Sequence, residues 1–318
     1  MIKVNMPTVT IGIPAYNEAS NINYLLRSIM RQKENGYRLE KIIVVCDGCT
    51  DNTAMKVKLL AKKYPKISLI IGKKREGKMR RLEMLYKMNK SNVFLSCDGD
   101  VVLENPLVLN KMLEKFDNDQ IVVVGGRNKP IESDTLVGNL INTWWRLWYE
   151  VRKDFKDGNN IYNIRGSFLA LRKTFLNSIK FPEFFISDAQ FIYFTALAKG
   201  SKFRYASDAS VLIRNPNNIN DYFLQKRRAK PGRQVLKEIF GNEILKEYNI
   251  PKRYKLKAII KMLIKEPIYT PLAGLFHIWF KVFPYKVKVV NQKGIWKVVE
   301  STKDGINTGY INQKHLSI

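Results

Sequence analysis

Two carboxylates stand close together at the end of an apolar run in the first third of the chain. Asp98, Gly99 and Asp100 follow residues 92–97 (NVFLSC), and the glycine between them allows a ligand to approach closely. Hard oxygen ligands of this kind suit Mg²⁺ or Mn²⁺, above all when the ion also bridges a diphosphate. The same three residues also form an ordinary turn, so this segment by itself leaves both interpretations open.

The charge of the chain points to an anionic partner. The 318 residues include 55 lysines and arginines against 28 aspartates and glutamates, which gives a formal net charge of +27. Nucleic acid, anionic lipid and a phosphorylated small molecule would each match such a charge. Three cysteines predict no disulfide framework and favour a reducing compartment, and we expect no export signal at the N-terminus.

The spacing of apolar residues predicts the elements that position the two carboxylates. Alternating units of this kind indicate an α/β fold with a mostly parallel central sheet flanked by helices. In open sheets of this class, ligands bind beyond the carboxyl ends of the strands, where residues 98–100 lie. Strands are predicted at 8–13, 41–46, 67–72, 92–97 and 121–126, and helices at 20–31, 53–63, 79–88 and 106–116.

The second half of the sequence is less regular. Four aromatic residues lie within residues 142–152, and they suit either a helix packed on the core or a platform for an acceptor or a membrane surface. These residues are Trp144, Trp145, Trp148 and Tyr149. The composition changes again near residue 254, where we expect a domain boundary.

Several motifs occur together in an order that resembles family-2 glycosyltransferases of the GT-A fold. The resemblance covers roughly residues 8 to 232, and the joint occurrence is far more specific than any single motif. The segments are 13–18 (IPAYNE), 44–53 (VVCDGCTDNT), 77–78 (GK), 97–106 (CDGDVVLENP), 165–173 (RGSFLALRK), 186–191 (ISDAQF) and 224–232 (LQKRRAKPG).

The resemblance implies a nucleotide-sugar site built from the early motifs. Residues bordering the nucleoside would be Pro14, Ala15, Tyr16 and Glu18, with Asp47 contacting the base or ribose and Lys78 also on the nucleotide side. Asp98 would face the ribose and contribute to the metal site, while Asp100 would bind Mg²⁺ or Mn²⁺. The metal would neutralise the diphosphate and stabilise it as a leaving group.

Asp188 corresponds to the catalytic aspartate of that family. It would remove the proton from an acceptor hydroxyl while the oxygen attacks the anomeric carbon, which inverts the anomeric configuration. The same position also suits the N-cap of a helix over residues 189–198 (AQFIYFTALA). Both interpretations are compatible with the sequence.

Gln225, Arg227 and Arg228 resemble the QxxRW signature of the membrane-associated members of the family. The resemblance implies that an arginine there meets the diphosphate, since a guanidinium offers a permanently charged fork to phosphate oxygens. Two positions depart from the pattern: Ala229 stands where tryptophan is usual, and Ser187 stands where an acidic residue often precedes the catalytic aspartate. These departures make processive polymerisation less favoured.

Residues 267–284 are apolar but contain His277 and Lys281, and are close to the lower length limit for a membrane span. We expect helices lying in the membrane interface, with a buried core helix as the alternative. An anionic membrane surface is then an expected partner, at the cytoplasmic face of the cell membrane. A lipid-linked acceptor or a cell-surface glycan precursor is expected with it.

The expected organisation has three parts. Residues 1–215 would form the GT-A catalytic domain, with a nucleotide-sugar half at 1–125 and an acceptor half at 126–215. Residues 216–253 would close the active site, and residues 254–318 would form membrane-associated helices and a polar tail.

Two other functions remain possible at this stage. A basic nucleic-acid-binding protein would explain the charge and the basic clusters at 73–81 and 226–233, but no nucleic-acid-binding module is recognisable, and we expect no nucleic acid partner. A nucleotidyltransferase of related fold would normally show a glycine-rich N-terminal phosphate loop, which IPAYNEAS is not.

Overall fold

A computed structural model describes residues 6–182, 187–228, 230–282 and 298–306, without the side chains of residues 227, 228 and 230–232. Within these residues eight strands form one sheet. They are β1 (Thr8–Ala15), β2 (Arg38–Asp47), β3 (Ile67–Gly72), β4 (Val93–Cys97), β5 (Val102–Leu103), β6 (Ile121–Pro130), β7 (Phe168–Arg172) and β8 (Lys202–Ile213).

The strand order is β3-β2-β1-β4-β7-β6-β8-β5. The first four strands in this order are parallel to one another, as are β6 and β8. In contrast, β7 is antiparallel to both β4 and β6, and β5 is antiparallel to β8. The α/β fold is confirmed, and the sheet is mixed because β7 enters its centre in the opposite direction.

Helices cover both faces of the sheet. The predicted positions of the first four are confirmed within a few residues, whereas the aromatic helix α5 is longer than the segment singled out in the sequence. They are α1 (Ile22–Met30), α2 (Thr53–Lys63), α3 (Lys78–Met88), α4 (Val108–Leu113), α5 (Leu136–Asp154), α6 (Lys173–Leu176), α7 (Asp188–Ala198), α8 (Ile219–Arg228), α9 (Lys230–Phe240), α10 (Lys252–Lys265) and α11 (Tyr269–Val282).

Alternate residues of the central strands enter two separate cores. Val44 packs in a cluster with Leu25 of α1, whereas the next residue, Val45, packs in a second cluster with Leu82 of α3. The period of two follows from the pleat of a strand, and burial on both faces explains why these strands are continuous apolar runs. The two cores fix the strand ends at which the polar loops begin.

The C-terminal helices pack on α5. Arg146 Nε donates to Glu266 Oε1 at 2.6 Å, and the rings of Trp144 and His277 stack with centroids 3.9 Å apart. None of the described helices is both long enough and apolar enough to cross a bilayer. Residues 298–306 then return to the first half of the chain, where the fully buried Ile306 packs against Val102.

Candidate active site

The loops after β1 and β2 are joined by side-chain hydrogen bonds. The backbone amide of Thr50 donates to Asn17 Oδ1 at 2.9 Å, and the amide of Glu18 donates to Thr53 Oγ1 at 2.8 Å. Asn17 adopts a φ of 52°, a conformation that asparagine tolerates better than most residues. Both loops lie at the carboxyl ends of neighbouring parallel strands, so the predicted nucleotide motifs are brought together.

Asp47 holds the loop that precedes α3. Its carboxylate accepts from the amides of Glu76 and Gly77, both at 2.8 Å, and from Arg81 Nε at 2.7 Å. The side chain is buried, and protein donors occupy both of its oxygens. In this structure Asp47 therefore positions the loop, and its contact with a base or ribose stays a prediction.

The turn after β2 requires a glycine. Gly48 has a φ of +67°, and a Cβ there would lie 2.7 Å from the backbone nitrogen of Arg75. This close approach brings residues 73–77 against the loop after β1, where the Arg75 guanidinium lies 3.8 Å from the ring centroid of Tyr16. Pro14 and Ala15, at the end of β1, lie directly before that ring.

One lysine links the two carboxylates with the strongest predicted roles. Lys78 Nζ lies 2.7 Å from Asp98 Oδ1 and 3.2 Å from Asp188 Oδ2, and it donates to the carbonyl of Gly166 at 3.0 Å. A Cβ at Gly166 would lie 2.7 Å from Asp188 Oδ2, so only glycine leaves room for this arrangement. Asp98 and Asp188, 90 positions apart in the sequence, therefore share one cation.

Burial and pairing shift the pKa values of this group. Burial alone would lower the pKa of Lys78, but the carboxylates of Asp188 and Asp98 more than offset it and raise the pKa above the ordinary lysine value. Burial raises the pKa of Asp98 to about 6, even though Lys78 opposes the shift. The lysine is thus firmly charged.

Asp188 is the first residue of α7, and Ser187 is the N-cap. The alternative prediction, that Asp188 caps this helix, is therefore wrong. The side chains of Asp98 and Asp188 remain 29% and 18% exposed, so both are accessible from outside. We call the space in front of Asp98, Lys78 and Asp188 the cleft.

Glu18 lies on the other side of the 98–100 motif. Burial raises the pKa of Glu18 to about 8, the charge of Asp100 adds to the shift, and Lys303 opposes it. Lys303 contacts Glu18 directly and donates to the carbonyl of Tyr16 at 3.1 Å. A residue near the C-terminus thus completes the loop that the sequence places at the nucleoside.

The residues present fit a divalent cation. Asp98 and Asp100 provide oxygen donors at the end of β4. Gly99 lies so close to Glu18 that a Cβ on it would be 2.8 Å from Glu18 Cγ, so a third carboxyl group lies near this turn. Within the described residues there is no group of three or more His, Cys, Asp or Glu side chains that could hold a metal ion. Mg²⁺ commonly uses only one or two carboxylates together with substrate phosphates, and two carboxylates are what this turn offers.

The later motif is only partly described. Gln225 is half-buried on α8, and the side chains of Arg227 and Arg228 lie outside the described part of the structure. Their proposed contact with the diphosphate stays a prediction.

Sequence reasoning missed several residues around the cleft. Lys303 lies in a tail for which no role was predicted, and Arg81 was noted only as part of the basic cluster at 73–81. Arg127 and Arg152 gather beside Trp145 and Arg165, an arrangement that neither the aromatic segment 142–152 nor the motif at 165–173 predicts. The excess of positive charge was the one signal that could have indicated them.

The chain is similar to curated proteins named as glycosyltransferases. A dolichyl-phosphate beta-glucosyltransferase of Trichomonas vaginalis is 31% identical over 142 residues, which cover 39% of this chain and 42% of that protein. The chain spans less than half the length of the curated relatives it matches.

Solved structures show the same fold. A mannosyltransferase of Pyrobaculum calidifontis in complex with GDP-Man and Mn²⁺ has a TM-score of 0.57 at 17% identity, over 89% of this chain and 77% of that chain. A glucosyl-3-phosphoglycerate synthase of Mycobacterium tuberculosis, in complex with Mn²⁺, UDP and glucosyl-3-phosphoglycerate, has a TM-score of 0.51 at 14% identity, over 74% of this chain and 80% of that chain.

The model of glycosyl transferase family 2 matches residues 10–179, more than half of the 318 residues. The matched region runs from within β1 to beyond β7 and includes the carboxylates of the 98–100 motif. The chain therefore belongs to glycosyl transferase family 2.

Proposed function

We propose that this protein is a metal-dependent, inverting glycosyltransferase that moves a sugar from a nucleoside diphosphate sugar, such as a UDP- or GDP-sugar, to a hydroxyl or phosphate acceptor. The observation that carries the proposal is the shared lysine: Lys78 contacts both Asp98 and Asp188, so the donor-side and acceptor-side carboxylates face one cleft. The family membership and the donor complexes of the structural neighbours support it.

On the donor side, the Arg75 guanidinium lies over the Tyr16 ring, and Lys303 contacts Glu18. These residues would border the nucleoside, together with Pro14, Ala15 and Asp47. Asp98 and Asp100 would hold Mg²⁺ or Mn²⁺, which supplies charge neutralisation of the diphosphate. Lys78 holds Asp98 in position, because its ammonium group stays charged beside the carboxylate.

On the acceptor side, Asp188 would accept the proton of the attacking hydroxyl. Its partial exposure and its fixed contact with Lys78 suit this role, since a general base must lie within hydrogen-bonding reach of the nucleophile. The bond from the acceptor oxygen to the anomeric carbon would form as the bond to the diphosphate breaks. Attack from the side opposite the diphosphate would give inversion.

We further propose that α10 and α11 dock on an anionic membrane surface at the cytoplasmic face of the cell membrane. Their outer side exposes a set of large apolar residues, including Leu256 (61%), Ile264 (80%), Ile268 (69%), Leu275 (63%) and Ile278 (60%). Lys252, Lys255 and Lys265 lie on the same hairpin, and their charges would attract acidic headgroups. This docking would place the cleft near a lipid-linked acceptor, as the name of the Trichomonas relative suggests.

The contacts of residues 298–306 bear on how the chain is divided into domains. We retain a catalytic unit at 1–215, a closing segment at 216–253 and a membrane-associated region at 254–318. Residues 298–306 would serve the nucleotide half, because they contact Glu18 and Asn21.

The test is release of nucleoside diphosphate from a panel of UDP-, GDP- and dTDP-sugars with Mn²⁺ or Mg²⁺, in the presence of membrane extract. We expect one donor to turn over, with activity lost on chelation and in Asp100→Ala. Asp119→Asn is the matched control, since Asp119 is fully exposed. Failure of every donor to turn over, combined with salt-dependent RNA or DNA binding, would contradict the proposal.

A further inference from the structure

Four cations gather on the acceptor side of the cleft. Arg127 lies on β6, Arg152 on α5, Arg165 in the loop before β7 and Lys226 on α8. The guanidinium groups of Arg152 and Arg165 lie 5.2 and 4.9 Å from the ring centroid of Trp145, and that of Arg127 lies 4.0 Å from Tyr149. We call these four residues the cation cluster.

Arg152 is buried, the other three cations are half-buried, and several buried nitrogens of the cluster lack hydrogen-bond partners. Arg152 is only 4% exposed. In the described part of the chain, the Nε atoms of Arg127, Arg152 and Arg165 and the Nε1 atom of Trp145 have no hydrogen-bond partner. Buried donors without acceptors are costly, and the cost is greater when the group is charged.

The chain supplies no counter-ion to this cluster from its described residues, since no carboxylate there lies within 4 Å of any of the four cations. Burial opposes the lowering of the Glu104 pKa, while Lys129 and, less strongly, the charge of Arg127 cause it. The Glu104 carboxylate is already bonded to Lys129 at 2.5 Å. Outside the described residues the sequence contains one acidic side chain, Glu183. Four cations therefore face one another in a chain with a large excess of positive charge.

Burial and mutual repulsion lower the pKa values of two members of the cluster. Burial and the neighbouring Arg165 lower the pKa of Arg152 to about 9. Burial, with Arg165 and Arg152, lowers the pKa of Lys226 to about 8. A bound anion would reverse both shifts, because an opposite charge favours the protonated form.

The position of the cluster connects it to the catalytic carboxylates. Arg165 directly precedes Gly166, whose carbonyl accepts from Lys78. Asn128, next to Arg127, donates to Ser167 Oγ at 2.7 Å, and the carbonyl of Ser167 accepts from the amide of Asp98 at 3.0 Å. On two separate segments, the residue that follows a cluster arginine therefore belongs to the hydrogen bonds around Lys78 and Asp98.

The other side of the cluster meets the C-terminal hairpin. Burial, with the charges of Lys281 and Lys226, lowers the pKa of His277 on α11 to about 4. His277 in turn stacks on Trp144 of α5. The cluster therefore lies between the exposed apolar hairpin and the catalytic carboxylates.

We propose that the cation cluster binds the phosphomonoester of the acceptor, which rests on the proposed transferase function. Burial without an internal counter-ion calls for a compact anion, and arginine guanidinium groups match phosphate oxygens. A phosphate oxygen would form the bond to the anomeric carbon as the electron pair of the departing bond leaves on the nucleoside diphosphate. A monoanionic phosphate would give its remaining proton to Asp188, and a dianionic one has none to give.

The test is calorimetric binding of citronellyl phosphate, a water-soluble prenyl phosphate, to the full chain. We expect binding to the wild type, and a loss of about tenfold or more in Lys226→Gln and in Arg127→Gln, since each removes one charge-assisted contact. Lys246→Gln is the matched control, because Lys246 is 77% exposed and distant in the sequence from the cluster, and its binding should be unchanged. Circular dichroism confirms that each variant is folded.

The remaining ligands separate the sources of the phosphate. Citronellol, which lacks the phosphate, should not bind, and inorganic phosphate should bind more weakly than the prenyl phosphate. Equal affinity for citronellol, equal affinity for inorganic phosphate, or unchanged binding in both cluster variants would overturn the assignment to the acceptor. Donor turnover without phosphate binding would sink this inference alone, whereas phosphate binding without turnover of any donor would sink only the proposed function.

Discussion

The donor side and the acceptor side of the cleft differ in how their buried charges are compensated. On the donor side, Asp98 is paired with Lys78, which also contacts Asp188 across the cleft, and Asp47 is bonded to Arg81. On the acceptor side, Arg127, Arg152, Arg165 and Lys226 have no carboxylate partner among the described residues. The charges on the donor side are thus balanced by other side chains, whereas those on the acceptor side are not balanced by any described carboxylate.

This contrast indicates which part of the site is complete before a ligand binds. An internal counter-ion holds a carboxylate in one place, so the catalytic geometry is preorganised. Unpaired cations repel one another, and an anion from outside would relieve that repulsion. The donor side thus has its catalytic geometry before a ligand binds, whereas the acceptor side needs an anion to balance its charge.

The largest expected effect is on catalysis. Asp188→Asn keeps the size of the side chain but removes the proton acceptor, so we expect sugar transfer to a hydroxyl acceptor to fall by about 10²–10⁴-fold. Steady-state kinetics of the variant measures this, with nucleotide affinity determined in parallel. Transfer at more than half of the wild-type rate would show that Asp188 is not the base.

The buried pair of Asp47 and Arg81 should dominate stability on the donor side. Both side chains are nearly inaccessible, and Arg81→Met leaves the Asp47 carboxylate without its cation, which should cost about 3–5 kcal/mol of unfolding free energy. Urea denaturation measures the change. Arg38→Met is the matched control: its pair with Glu40 is exposed, so we expect a change within about 0.5 kcal/mol.

Substitutions of two lysines should change the free energy of unfolding differently on the donor side and on the acceptor side. Lys78→Met leaves two carboxylates without their shared cation and should destabilise the ligand-free protein by about 1–2 kcal/mol. Lys226→Met removes a cation that has no carboxylate partner among the described residues and should be neutral or stabilise by about 1 kcal/mol. Equal losses in both variants, measured by urea denaturation, would contradict the contrast between the two sides.

The smallest expected effect is the pH dependence of stability. The pKa of Lys226 is lowered from 10.5 to about 8 in the folded state, so between these pH values the unfolded chain binds more protons. Stability from this group therefore rises as the pH increases from 8 to 10.5 and is lost as the pH falls. Thermal unfolding across this range should show a steeper rise for the wild type than for Lys226→Met, and parallel curves would argue against the assignment.

Much of the first half was predictable because local patterns determine it. Strands β1 to β4 are apolar runs ended by polar turns, and the parallel arrangement places their loops at one edge. The vicinity of Asp98 and Asp188 followed only from the family resemblance, because their contact depends on β7 entering the sheet beside β4.

The remaining features depend on contacts between distant segments. Lys303 reaches Glu18 across 285 positions, and nothing in the tail sequence marks it. The cation cluster joins residues of β6, α5, α8 and the loop before β7. Arg165 and Lys226 lie in motifs noted in the sequence, but nothing there indicates that they meet Arg127 and Arg152. Periodicity describes which face of an element is buried, but not which buried faces meet.

We expect donor and acceptor to lie on opposite sides of one cleft, so that the sugar moves in a single displacement. The most direct measurement is the anomeric configuration of the product, determined by proton NMR after transfer from an α-linked donor that turns over. The account predicts a β-linked product that Asp188→Asn makes far more slowly when the acceptor is a hydroxyl. An α-linked product would contradict it.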